Sequence, residues 1–217
     1  AISINTKNAN LLAQSDQIKI SNIDINLNLI KFLKKENSIK NLKITSSDNF
    51  IKDVSSFLNN INYDLSRYIF YSQIKKGLIN FEIDVEFGKD TRNISSYLIT
   101  GSVNNAKFNL PSDQNINEIN FNFQSRNKIT KIINLNFIYQ DIIFSSKNLE
   151  IKEENSGEYY IKGDIENSKA AVNPNLFLKF ANIKQDYLSN KDILLQSKNL
   201  FSFVLNKNKK LKNVKID

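Results

Sequence analysis

The organisation of this chain is clearest in residues 17–47, which read QIKISNIDINLNLIKFLKKENSIKNLKITSS. Apolar and polar residues alternate from Ile23 to Leu29, and this period of two is typical of a strand with one buried face. The alternation breaks at residues 30–33, which predicts a short amphipathic turn of helix, and the charged residues 34–37 predict a bend. Strand periodicity returns from Ile39 to Ile44. Most of the remaining chain repeats the strand pattern.

Size and composition restrict the class of protein. The 217 residues can bury a substantial core, and the pattern predicts a single β-rich segment over 1–217, which we expect to be part of a longer protein. The net charge is +8, but Ile, Asn and Lys together make up close to half of the chain, as an AT-rich genome would produce. Because the lysines are scattered rather than clustered, we expect no nucleic-acid partner.

Two missing residue types exclude several kinds of chemistry. The chain contains no His and no Cys, which excludes Ser-His and Cys-His nucleophilic pairs, His or Cys zinc sites and disulfides. An acidic row at Glu82, Asp84 and Glu86 is a candidate for a hard cation, but residues two apart on a strand are separated by nearly 7 Å, so one strand alone cannot form a tight site. We therefore expect no enzymatic activity, no metal and no cofactor.

Two segments have helical character. The first covers about 47–76, with Ser47 or Asp48 as a suitable N-cap, Gly77 as a reasonable stop and asparagines near its middle that can divide it. A weaker helical pattern covers about 174–187. The apolar stripe of the first segment follows spacings of three and four, and it consists of Phe50, Val54, Phe57, Leu58, Ile61 and Leu65.

From Leu78 onward, strand patterns of eight to ten residues follow one another between short polar turns. This arrangement favours an antiparallel meander with one dry and one wet face. The predicted fold class is mainly β: a long curved antiparallel sheet with one or two amphipathic helices packed on it. Near the middle, the pattern groups Ile133 with Leu135 and Phe137 on one side of a strand. Alternation alone leaves open whether the dry face closes into an ordinary core or remains an apolar groove.

Several phrases resemble the AsmA-like superfamily, which includes AsmA, YhdP and TamB. Residues 99–108 (ITGSVNNAKF) and residues 160–172 (YIKGDIENSKAAV) are similar to a strand exchange seen in YhdP-like central regions. The opening unit of 18–46 is similar to the first module of the superfamily. The matching positions there are Ile23, Asp24, Ile25, Leu27, Leu29, Ile30, Leu33, Ile39, Leu42 and Ile44.

The resemblance implies a location and a role. Members are envelope proteins of Gram-negative bacteria, anchored in the inner membrane by an N-terminal helix, and their curved sheets carry a hydrophobic groove associated with phospholipid transport between membranes. The anchor would lie outside this chain, because no apolar run reaches the roughly 18 residues needed to span a bilayer. The partners implied are phospholipid, the inner membrane through that anchor, and other envelope proteins.

We therefore expect a periplasmic, non-catalytic segment that holds phospholipid acyl chains in an apolar β-groove, for lipid transport between membranes or outer-membrane assembly. The alternative is a structural or adhesive β-rich module with a closed core. A contiguous exposed apolar patch would distinguish them. The residues predicted to line the groove are Phe81, Ile83, Val85, Phe87, Ile99, Val103, Phe108, Phe121, Phe123, Leu135 and Phe137.

Overall fold

Twelve strands of this chain join into one open, curved antiparallel sheet. The computed structural model describes residues 2–13, 16–34, 38–61, 73–88, 93–110, 114–154, 157–172, 193–206 and 210–217. The elements in chain order are β1 (Ile2–Ala13), β2 (Asp16–Leu27), α1 (Leu29–Leu33), β3 (Ile39–Ser46), β4 (Asn49–Phe50), α2 (Ile51–Ile61), β5 (Ile74–Phe87), β6 (Ile94–Asn109), β7 (Asn115–Arg126), β8 (Ile129–Tyr139), β9 (Ile142–Glu153), β10 (Tyr159–Val172), β11 (Ile193–Leu205) and β12 (Leu211–Ile216). The predicted fold class is confirmed.

The strands follow one another in the sheet almost in chain order. The order is β1-β2-β3-β5-β6-β7-β8-β9-β10-β11-β12, with the short β4 paired to β5, and every pairing is antiparallel. Two tight turns explain part of this regularity. Asn127-Lys128 and Gln140-Asp141 all have positive φ, the geometry of two-residue type I′ turns that match strand twist. Because β1 and β12 end the order, the sheet has two edges.

Helix α2 packs on one side of the sheet, across β1, β2 and β5. We name this side the apolar face. Its first core cluster joins Ile18 and Ile20 of β2 to Val54 and Phe57 of the helix. A second cluster joins Ile51 to Val103 and Ala106 of β6, with Ile79, Ile119, Phe121 and Phe123 packed around it.

The buried Asn49 fastens the start of α2 to the sheet. Its side chain accepts a hydrogen bond from the backbone N–H of Lys19 at 2.8 Å and donates to the carbonyl oxygen of the same residue at 3.1 Å. It also donates to the carbonyl of Ser47 at 2.8 Å. A single amide therefore continues the β-ladder past the end of β3, which explains why a polar residue is buried there.

Bulges keep the apolar residues on one face where the sequence pattern shifts. Val103 and Ala106 are three residues apart yet share the apolar face, because Asn104 and Asn105 together oppose the single residue Asn120. Asn105 has φ +50°, and its backbone N–H donates to the Asn120 side-chain oxygen at 2.8 Å. Such a bulge compensates for a one-residue shift in the alternation of apolar and polar residues. Without it, the rest of the strand would place its apolar side chains on the opposite face.

The helical segment differs from its prediction. It was predicted over 47–76, but α2 begins at Ile51, so Ser47 and Asp48 do not cap it, and residues 74–76 belong to β5. Gly77 lies inside that strand at φ +131° rather than ending a helix, and a Cβ there would come within 2.7 Å of the Ala106 Cα. Backbone freedom and close strand contact, not helix termination, account for this glycine.

The predicted stripe of this segment is only partly correct. Val54 and Phe57 are buried, whereas Phe50 and Leu58 are exposed. The side chains of Ile61 and Leu65, and the second predicted helix at 174–187, lie outside the described residues. The helical turn predicted at 30–33 is confirmed as α1, but none of its residues is buried.

Candidate functional site: the apolar face

The apolar face continues far beyond the area under α2. Antiparallel partners present their side chains on the same side of a sheet, so the register follows this face from strand to strand. Ile83 pairs with both Ile44 and Ile99, and Val103 pairs with Phe121. All eleven residues predicted to line a groove lie on this face, on β5 to β8.

Burial divides this face into two regions. Near α2 the centres of the two core clusters are fully buried, as in Ile20 at 1% exposure, with partly buried apolar side chains around them. Farther along, on β8 to β11, most apolar side chains of this face are only half-buried, and neither described helix has its main contacts there. Because neither of the helices in the described part of the chain packs across it, we name this second region the uncovered strip. It consists of Ile132, Leu135, Phe137, Phe144, Leu149, Ile161, Ile165, Phe201 and Phe203.

The eleven predicted residues fall into both regions. Val103 is 6% exposed and belongs to the core cluster with Ile51, so it does not line an open surface. Phe81, Phe121 and Phe123 pack against the α2 clusters as well. Leu135 and Phe137 belong to the uncovered strip. The half-buried residues Ile83, Val85, Phe87, Ile99 and Phe108 belong to neither core cluster and not to the uncovered strip.

One grouping made from the sequence is wrong. Ile133 was placed with Leu135 and Phe137, but Ile132 shares their face and Ile133 points to the opposite side. The cause is Asn134, whose φ of +55° marks a bulge that changes the phase of β8. Because strict alternation ignores the bulge, it assigned Ile133 rather than Ile132 to the face of Leu135.

Sequence reasoning also missed most of the uncovered strip. Only Leu135 and Phe137 were included, although Ile132 of β8 and residues of β9, β10 and β11 supply the other positions. The alternation at Tyr159–Ile165 and at Phe201–Leu205 was visible in the sequence. The sequence could not show that these strands continue the apolar face, or that their apolar side chains are only half-buried.

Aromatic rings cover much of the face. Phe137 stacks on Phe144 with ring centroids 5.2 Å apart, and Phe201 stacks on Phe203 at 6.0 Å. Phe123 lies over Gly101, where an added Cβ would come within 2.6 Å of the ring. The glycine therefore gives room to the aromatic side chain on the neighbouring strand.

The polar side chains on this face do not point to a polar ligand. Asn167 is 4% exposed and fully bonded: it donates to the carbonyls of Ser168 and Leu195 and accepts from the backbone and hydroxyl of Ser197. Ser146 is also buried, and its hydroxyl has no hydrogen-bond partner among the described residues. Ser197 and Asn199 lie on the same face and are half-buried, and the Asn199 side chain donates to the Ser197 hydroxyl at 3.1 Å. The contact that the strip offers to a ligand is therefore mainly apolar.

The opposite, polar face carries paired charges. Lys43 forms an ion pair with Glu82 at 2.9 Å, and this hydrogen bond raises the pKa of Lys43 above its ordinary value. Glu86 accepts from the Ser96 hydroxyl at 2.9 Å. In the described part of the chain, no group of three carboxylates comes together to hold a metal ion. The acidic row is engaged by its neighbours on the sheet.

A pocket with a volume of about 520 Å³ lies on this polar face. Its charged lining is balanced, because three lysines face three carboxylates, and Lys162 pairs with Glu150 at 3.2 Å. Balanced charge with mutual pairing selects neither anions nor cations. The charged residues are Lys131, Lys162, Lys215, Glu150, Asp164 and Asp217.

Within the residues described, no helix has the length and apolar character to cross a bilayer. No protein-family model, no curated protein and no solved structure matches this chain.

Proposed function

We propose that this chain binds the acyl chains of phospholipid along its apolar face, without catalysis. The observation that carries the proposal is the uncovered strip, where large aliphatic and aromatic side chains on four neighbouring strands are only half-buried. Soluble proteins seldom expose contiguous apolar surface that has no binding role. The nine residues of the strip are all apolar, which favours a hydrocarbon chain as the ligand.

The dimensions of the strip suit an acyl chain. Neighbouring strands lie about 4.8 Å apart, so the three spacings from β8 to β11 span roughly 14 Å. A bilayer core of about 30 Å allots roughly 15 Å to each leaflet. One acyl chain lying across the strands would therefore span the strip. Each methylene that it removes from water contributes up to about 0.8 kcal/mol.

The cellular setting is proposed from the sequence resemblance. As an AsmA-like segment most similar to YhdP, the chain would lie in the periplasm of a Gram-negative bacterium, tethered to the inner membrane by an anchor outside this segment. There it would take part in lipid transport between the membranes or in outer-membrane assembly, with envelope proteins as partners and no nucleic acid.

The test uses two neighbouring isoleucines on opposite faces of β8. Ile132 belongs to the uncovered strip, whereas Ile133 points to the polar face, and both are half-buried. We expect phospholipid to co-purify with the native chain in native mass spectrometry, confirmed by lipid extraction. Ile132→Asp should lose this lipid, and Ile133→Asp should retain it.

Leu135→Asp provides a second strip variant, while Phe121→Asp is less informative because Phe121 packs against the α2 core cluster. Circular dichroism and urea unfolding establish that each variant is folded. If the native chain has an apo mass that persists after incubation with phospholipid vesicles, the proposal fails. Unfolding of both strip variants, with Ile133→Asp intact, would instead support the closed structural module.

A further inference from the structure

Helix α1 forms an exposed apolar knob between β2 and β3. Its five residues, Leu29–Leu33, begin at a side-chain cap: the Asn28 side-chain oxygen accepts from the backbone N–H of Ile30 at 3.1 Å and of Lys31 at 3.3 Å. Four of the five side chains are large and apolar, and all four are exposed, Ile30 at 68% and Leu33 at 72%. The knob is thus a built structure whose apolar side chains point into solvent.

In the described residues, the charged side chains within α1, at its end and at the start of β3 are lysines. Lys31 lies within the helix, Lys34 ends it, and Lys40 is exposed on the adjoining part of β3, while the first turn contains no acidic residue. Apolar residues flanked by lysines are typical of segments that lie in the interface of a membrane, with the cations among anionic headgroups. If the partner were a protein with an apolar groove, the lysines beside the helix would have no role in binding.

The position of the knob fits contact with a surface. It lies at the margin of the sheet, where β2 ends and β3 begins. Strand β5 ends at the same margin and β6 begins there with the exposed Ile94, because β2 and β5 both run antiparallel to β3. A membrane touching the knob would meet this margin of the apolar face directly.

We propose that α1 docks this protein on an anionic membrane surface, inserting Leu29, Ile30, Phe32 and Leu33 among the lipid headgroups. The inference rests on the proposed function, which it deepens by naming the contact through which the apolar face reaches lipid. The partner is a bilayer surface. The apolar side chains of α1 are buried in it, and the lysines complement the charge of its anionic headgroups.

Sedimentation with vesicles tests the docking. The probes are vesicles of phosphatidylcholine mixed with phosphatidylglycerol, compared with vesicles of phosphatidylcholine alone. We expect stronger binding to the mixed vesicles, and a loss of about tenfold or more in partitioning for the double variant Ile30→Ser, Leu33→Ser. The matched control is Leu12→Ser on β1, because Leu12 is also 72% exposed, and this variant should bind as the native chain does.

Insertion can be observed directly, because the chain contains no cysteine. Leu33→Cys, labelled with an environment-sensitive fluorophore, should show a blue-shifted emission on adding the mixed vesicles, and labelled Leu12→Cys should not. Charge is tested separately: Lys34→Glu should remove the preference for mixed vesicles, whereas Lys131→Glu, exposed on β8, should preserve it.

A fluorescent fatty acid, added without vesicles, separates this inference from the proposed function. The α1 double variant should bind the fatty acid normally, and Ile132→Asp should lose the fatty acid while still docking on vesicles. Docking of the α1 double variant at native strength overturns the inference, whatever the strip binds. The inference would also be overturned if the native chain self-associates and does not bind vesicles, and if the double variant no longer self-associates. A second copy of the chain, and not a membrane, would then cover α1.

Discussion

Asn167 illustrates, at the scale of a residue, how this chain places polar groups on an apolar face. The sheet bulges directly after it, since Asn167 pairs with Ser197 and Ala170 with Leu195. The amide of Asn167 satisfies the backbone groups that the bulge releases, with bonds of 2.9 to 3.1 Å to Ser168, Leu195 and Ser197. Since leaving such groups unpaired costs about 1–3 kcal/mol each, this asparagine has a structural role.

Asp164 has a related role and gives the stability a pH dependence. Its carboxylate accepts from the backbone N–H groups of Asn148 at 3.0 Å and Lys147 at 3.2 Å, where β9 bulges against β10. Burial raises the pKa of this carboxyl, but the hydrogen bonds from Asn148 and Lys147 outweigh burial, and the pKa lies below its ordinary value. The ionised form is therefore the one that the fold stabilises.

A carboxyl whose pKa is lowered by folding stabilises the folded state at pH values above its unfolded-state pKa. This stabilisation is lost as the pH falls through the folded-state pKa. Asp164→Asn should accordingly lower the free energy of unfolding by roughly 1 kcal/mol at neutral pH. This difference should shrink as the pH falls below about 4. Urea unfolding across this pH range measures it, with Asp141→Asn at an exposed turn as the control for a lost charge. A difference that stays constant with pH would contradict the assignment.

At the scale of elements, α2 is the part of the structure that turns an exposed sheet face into a core. Phe57 packs with Ile18, Ile20 and Val54. Phe57→Ala should lower the free energy of unfolding by about 3 kcal/mol, because it leaves a cavity between helix and sheet. Leu58→Ala, at a neighbouring exposed position, should change it by less than about 0.5 kcal/mol. Equal effects of the two substitutions in urea unfolding would show that the helix is not packed as described.

The same elements show what the sequence could predict. Strands and their sequential order were predictable, because alternation is a local property and short turns make consecutive strands neighbours. The face of Ile133 was not, since it depends on a bulge at Asn134, and asparagine is too common in this chain to mark one position. The burial of Val103 was equally hidden, because it depends on Ile51, which is distant in sequence.

From the sequence, the candidate site could be predicted only as the apolar side of the sheet. Alternation identified Leu135 and Phe137 correctly as members of that face. Whether a helix covers a given part of it is decided by where α2 ends and which strands the helix reaches. No local pattern contains that information, and so the division into a core and an uncovered strip came from the structure.

At the scale of the whole molecule, the sheet is built from neighbour contacts. In the described part of the chain, the substantial strand–strand contacts join strands that are adjacent in the sheet, as in a repeat protein whose units stabilise only their neighbours. Such an architecture lets local stability differ along the sheet. Strands β5 and β6 are long, paired on both sides and close to the α2 clusters, whereas β12 is short, fully exposed and paired on one side.

Hydrogen exchange should therefore form a gradient. We expect the amides of β12 to exchange at least about tenfold faster than those of β5 and β6, because an edge strand opens without disturbing the α2 clusters. Mass spectrometry of peptides covering 211–217 and 74–109 measures the difference, and Phe57→Ala should accelerate exchange in β5 while leaving β12 unchanged. If all strands exchange at one rate, the sheet opens as a single cooperative unit, and its stability is not built from neighbour contacts alone.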